Sequence, residues 1–156
     1  MKKMEKENLL KSAKQLNQPS VESISEFSQK LNMLVENMNN YMLKRPDIKE
    51  LVGESNLEMM KDNHSNHARF MESVFINYDP EVLVDTVLWV FRAYRSRNFS
   101  SIYWAAQLNG WINIYKTEFS EKTYNEIVPF YKWMQVNIPV FNTLAEQEID
   151  APLSSH

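Results

Sequence analysis

Met60, His64, His67 and Met71 fall at steps of four, three and four, so one helix would carry all four on a single face. Leu57 and Val74 extend the same stripe, which places both imidazoles on the side expected to be buried. Two chemistries fit. The imidazoles can be hydrogen-bonded members of a core or inter-helix face. Alternatively, neutral imidazoles with thioethers suit copper, and imidazoles completed by carboxylates from a facing helix suit zinc or iron. Met60, His64, His67 and Met71 are therefore an alternative, metal-binding set. A haem could take one axial imidazole, but two histidines one turn apart on the same side cannot grip opposite faces of a porphyrin.

A second group follows on the next apolar stretch. Asp85 and Arg92 are seven residues apart, hence on one face of an otherwise apolar helix, and charges buried there must be paired. Each can pair with a side chain on another helix. The functional alternative is that Arg92 and Arg95 fork around a carboxylate or phosphate while Asp85 accepts from ligand N–H groups. The candidate cofactor-binding residues are thus His64, His67, Asp85, Trp89, Arg92 and Arg95, and no cofactor is identified. The chain also has nineteen aromatic residues, crowded into its second half. Most must be core, and the surplus is expected to line a subunit interface or a small-molecule pocket.

Catalytic signatures are missing. The sequence has no nucleophile elbow, P-loop, dinucleotide fingerprint or HExxH, and a general base at His64 or His67 would have no partner that the sequence identifies. The expectation is a protein that is not an enzyme.

Helices must position these residues. Two glycines in 156 residues are too few for a sheet protein with many tight hairpins, and the apolar spacing is helical almost throughout. The expected fold is all-α: one domain of five to seven helices, bundle or globin-like, with the last helix kinked by prolines. Residues 1–18 are expected to be a flexible basic segment with a short helix over residues 5–16 as an option, residues 19–148 the helical domain, and 149–156 a disordered tail. Ile24, Phe27, Leu31, Leu34, Met38 and Tyr41 mark a helix that must stop before Pro46. Asp47 is expected to cap a short turn ending at Gly53. Ser55 to Glu58 reads as a capping box opening a helix to about Asn77. Asp79-Pro80 starts the next, which is apolar nearly all round to about Arg97 and so expected to be central. Ser100 and Ser120 cap the last two, with bends near residues 128 and 138 at Pro129 and Pro139.

Composition narrows the function further. The absence of Cys excludes disulfide frameworks, thiolate catalysis and iron–sulfur clusters. A net charge of −3 and a pI near 5.7 argue against a nucleic-acid partner. The longest uncharged stretch, Ser100 to Tyr115, is shorter than the roughly 20 apolar residues of a membrane span. The Met-Lys-Lys start has no apolar run behind it, so a cytoplasmic location is expected.

The long helix before Pro46, the helix with His64 and His67, and the Asp79-Pro80 helix ending Phe91-Arg92-Ala93-Tyr94-Arg95-Ser96-Arg97 together resemble the globin-like helical sensor domains of bacterial signalling proteins. A looser similarity is to phycobilisome proteins, whose corresponding helix carries an Asp followed by Arg and Tyr. The resemblance covers residues 20–148 in outline. It implies a bilin, haem or lipid-like ligand, or none, and signalling through a dimer. Asp85 would hold pyrrole N–H groups and Arg92 a propionate. The attachment Cys of the phycobilisome proteins is absent, the Asp-to-Arg spacing differs, and no histidine stands where a globin's proximal ligand is expected. The leading expectation is a non-enzymatic sensory or regulatory domain that homodimerises through an aromatic helical face, engages a signalling partner, and holds a small ligand or tetrapyrrole-like cofactor between the histidine helix and the Asp85–Arg92 helix.

Overall fold

The structure is a computed structural model that describes residues 2–147; the tail expected at 149–156 lies outside the described residues. These residues form eight helices and no strand. They are α1 (Lys2–Ala13), α2 (Val21–Leu43), α3 (Ile48–Val52), α4 (Leu57–Ile76), α5 (Pro80–Arg95), α6 (Ile102–Glu118), α7 (Glu121–Val136) and α8 (Ile138–Gln147). The all-α expectation holds, with more helices than the sequence suggests. A break at Asn137, which divides the expected last helix in two, takes the count past seven.

In the N-terminal segment α1 overlaps the short helix given as an option over residues 5–16. Residues 2–13 are helical, and Leu9 and Ala13 are buried in the core. α1 and the linker after it are tied down as well: Trp133 Nε1 donates to Ser12 Oγ of α1 at 2.8 Å, and Gln18 Nε2 donates to the carbonyls of Phe75 and Ile76 at the end of α4. The lysines of α1 gave the segment its solvated look, and Lys6 and Lys11 are indeed exposed, but Leu9 and Ala13 of the same helix are buried.

α6 supplies the centre of the core, where Tyr103, Trp111 and Tyr115 have no exposed surface. α2 crosses α4, α6 and α7, while α5 packs on α1 and α8. α5 is therefore peripheral, contrary to the expectation that it is central. Glu81, Val82 and Asp85 form its exposed strip, so an apolar composition did not mean a helix covered on every side. The crossing of α2 and α6 is close because residue 110 is glycine. A Cβ there would stand 2.8 Å from Tyr41 Cε1 and 2.9 Å from Met38 Cε.

Several ends follow the sequence and others do not. Asp79 caps α5, accepting from the Glu81 N–H at 3.0 Å with Pro80 in the first turn. Ser120 caps α7 through the Thr123 N–H, and Gly53 takes φ +93° after α3. Asp47 does not cap with its side chain but pairs with Arg45, and the box expected at Ser55 is replaced by Asn56. Asn56 Nδ2 instead bonds the Val52 and Arg97 carbonyls, joining α3 to the end of α5. α7 runs on through Pro129, which is exposed like Asn125, whose freed carbonyl can therefore be met by water. Pro139 lies in the first turn of α8, where the missing N–H would have had no helical partner. The chain thus breaks at Asn137 into two helices, in place of one last helix kinked by both prolines.

Candidate functional site

A cavity of about 280 Å³ lies between α4, α5 and α6, with Met134 of α7 also in its wall. α4 contributes Asn63, Asn66, His67, Phe70 and Met71. Across from them stand Trp89, Val90, Phe91 and Tyr94 of α5, and α6 adds Trp104, Gln107 and Leu108. Phe91 and Trp104 stack with centroids 4.7 Å apart, so two of the aromatic faces are turned on each other. Among the described residues no Asp, Glu, Lys or Arg lines this space. Its exposed or half-buried lining residues, among them Asn66, Phe70, Trp89 and Val90, belong to α4 and α5, which places the mouth between those two helices.

His67 is the polar centre of the wall. Its Nε2 lies 2.7 Å from the Tyr131 hydroxyl, and its ring stacks on Trp111 at 5.2 Å. Tyr131 in turn meets the Tyr115 hydroxyl at 2.5 Å. Burial pushes the His67 imidazole down to about 3, so it is neutral at ordinary pH. The same burial pushes the hydroxyls of Tyr115 and Tyr131 up, which leaves both phenols protonated.

His64 stands one turn earlier, fully buried and outside the cavity wall. Its Nδ1 is 2.6 Å from Asn39 Oδ1, and its Nε2 is 3.4 Å from the Tyr103 hydroxyl. Burial, and after it the neighbouring His67, lowers it to about 3 as well. Tyr103 donates to Asn63 Oδ1 at 2.8 Å, and Gln107 Nε2 donates to both. A polar network inside a hydrophobic core is tolerable only when its members are satisfied, and these largely satisfy one another. The Trp111 indole N–H is the exception: it is buried and has no acceptor among the described residues.

The sequence-predicted residues therefore separate. His67 and Trp89 line the cavity; His64 supports it from behind. Asp85 does not enter it and is not buried: it is exposed and pairs with Lys6 of α1 at 3.0 Å. Arg92 is half-buried and Arg95 meets Glu146 of α8 at 3.8 Å, and neither lines the cavity. The expected fork of Asp85, Arg92 and Arg95 around a ligand is thus not assembled, because the outer strip of α5 faces away from α4. Met60 and Met71 are buried on the His64 stripe as expected. Both His64 nitrogens and His67 Nε2 already face hydrogen-bonding groups, and among the described residues no three His, Asp or Glu side chains are grouped to hold a metal ion.

Sequence reasoning missed Asn63, Gln107, Tyr103, Tyr115 and Tyr131 as site components. A signal existed in Gln107, an amide in phase with Tyr103 and Trp111 on the apolar stripe of α6. Of the aromatic residues crowded into the second half, Trp89, Tyr94 and Tyr124 are half-buried. Trp104, Trp111, Phe130, Tyr131, Trp133 and Phe141 are all buried, and the exposed large hydrophobic residues are aliphatic, such as Val21, Ile102 and Val136.

The chain matches no family model, no curated protein and no solved structure. No described helix is long and apolar enough to cross a membrane.

Proposed function

We propose that this protein is a non-enzymatic regulatory domain that binds a small neutral molecule in the cavity between α4, α5 and α6. The observation that carries the reading is the cavity itself: aromatic and aliphatic over most of its wall, with a few fixed polar groups and no charge. An apolar cavity of about 150 Å³ holds benzene. At about 280 Å³ this one suits a molecule of two fused rings. It lies just below the roughly 300–1,000 Å³ typical of pockets for drug-sized ligands, and it offers no cation for propionates, so a small ligand is favoured over a tetrapyrrole.

The test is melting temperature and tryptophan fluorescence with benzene, naphthalene and indole, since Trp89 and Trp104 stand in the wall. A ligand bound only by the folded state raises stability by about 3 kcal/mol at a hundred times its Kd. Filling the space with Val90→Trp should abolish the shift while the variant still melts cooperatively. A shift unchanged in that variant, or none with any probe, would overturn the reading.

A further inference from the structure

The hydrogen-bond chain behind His67 fixes which of its nitrogens carries the proton, and with it what the ligand must offer. Tyr115 has no exposed surface, and among the described residues its hydroxyl meets only that of Tyr131. A buried O–H left without an acceptor is costly, so Tyr115 donates to Tyr131. Tyr131 has one proton of its own and passes it to His67 Nε2, the remaining partner of its hydroxyl. Nε2 is therefore an acceptor, and in a neutral ring the hydrogen must sit on Nδ1. That N–H makes no hydrogen bond among the described residues, and it belongs to a residue in the cavity wall.

Gln107 complements it. Its Nε2 is spent on Asn63 and Tyr103, which leaves Oε1 with no hydrogen bond among the described residues, again in the cavity wall. Beside the polar groups of Asn63, Asn66, Thr86 and Tyr94, the cavity wall thus presents this uncommitted donor and this uncommitted acceptor against aromatic rings. An anion would lose its hydration with no countercharge to meet it, and a cation would find no carboxylate.

We infer that the ligand is a neutral, planar, two-ring heteroaromatic molecule that carries one hydrogen-bond acceptor, for the Nδ1–H of His67, and one N–H donor, for the Oε1 of Gln107. The inference rests on the cavity being a ligand site. A bicyclic lactam such as 2-quinolone has both groups and serves as the probe.

The experiment compares four probes of one size by calorimetry on the intact chain: naphthalene with neither group, quinoline with the acceptor, indole with the donor, and 2-quinolone with both. The expected order has 2-quinolone at least tenfold tighter than naphthalene, with quinoline and indole between. In His67→Phe, naphthalene and indole should keep their affinities while the advantage of quinoline over naphthalene disappears. Nitrogen-15 NMR of the wild-type imidazole should show a protonated Nδ1 and a bare Nε2 at His67, a readout that needs no variant. Equal affinity for all four probes, or a protonated Nε2, overturns the inference and leaves the cavity reading standing. Tighter binding of N-methylquinolinium than of 2-quinolone overturns it in favour of a cation held by aromatic rings. Failure of every probe overturns both.

Discussion

Two neutral imidazoles, His64 buried in the core and His67 half-buried in the cavity wall, make this fold sensitive to mild acid. In the unfolded chain each takes a proton near pH 6.5, whereas burial holds both His64 and His67 to about 3 in the folded one. Between those values the unfolded chain binds more protons, so stability is full above pH 6.5 and falls as the pH drops toward 3. Each imidazole contributes a slope of about 1 kcal/mol per pH unit across that window. Urea midpoints at pH 7.5, 6.0 and 5.0 should therefore fall steeply, and His67→Phe should fall about half as steeply as the wild type. A midpoint that stays level from pH 7.5 to 5.0 would mean that the folded protein accepts protons at these rings. The His67 ring also shows why one residue can matter in two ways. Its Nε2 closes a structural chain through Tyr131, and the residue stands in the cavity wall.

Between elements, α2 and α7 cap each other. Glu26 of α2 accepts from the backbone N–H and the hydroxyl of Ser120, at 3.1 and 2.9 Å, at the start of α7. Glu126 of α7 accepts from the Ser20 N–H at 2.6 Å at the start of α2. Carboxylates at helix N-termini meet both unsatisfied N–H groups and the positive end of the dipole. Burial raises the Glu26 carboxyl, but Lys30, Thr123 and Ser120 outweigh it and hold the group at about 2. Glu26→Ala is expected to cost about 2 kcal/mol at pH 7, and the difference from wild type should shrink as the pH falls from 4.5 toward 2, where the native carboxyl itself takes a proton. Gly110→Ala tests the α2–α6 crossing: the new methyl would press on the Tyr41 ring at 2.8 Å, for an expected loss of about 1–3 kcal/mol in a denaturant titration. The helices themselves were largely legible in the sequence, because Phe27, Leu34 and Met38 of α2 or Leu83, Val87 and Phe91 of α5 repeat at helical steps. What was not legible is which helices face one another. Asp85 shares a phase with Arg92, yet only the packing of α1 beside α5 shows that it pairs with Lys6. At the site, the stripe exposed His67, but its partner Tyr131 lies 64 residues away, and no local pattern joins them.

At the scale of the molecule, the cavity exists because α5 is held from its far side. α1 and α8 are the helices packed closely on it, while its inner side meets α6 through rings such as Phe91 on Trp104. The ion pairs along its rim add little: Lys6–Asp85 is more than half exposed on both sides, and Arg95–Glu146 spans 3.8 Å. Pairs of that kind are worth about 0–1 kcal/mol. α6, by contrast, is enclosed by α2 and α7 and holds the largest buried rings. Local opening starts where buried contacts are fewest, so α5 should open before α6. Native-state hydrogen exchange is expected to show α5 amides exchanging well ahead of those in α6, with α1 following α5 because Leu9 and Ala13 seat it in the same core. Saturating the cavity with a two-ring probe should slow exchange in α5 and in the mouth-lining turn of α4, and leave α2 and α7 nearly unchanged. Protection spread evenly over all helices would instead mean that the ligand stabilises the fold as a single unit. α5 would then be no more than a wall of the cavity, opening only when the whole fold opens.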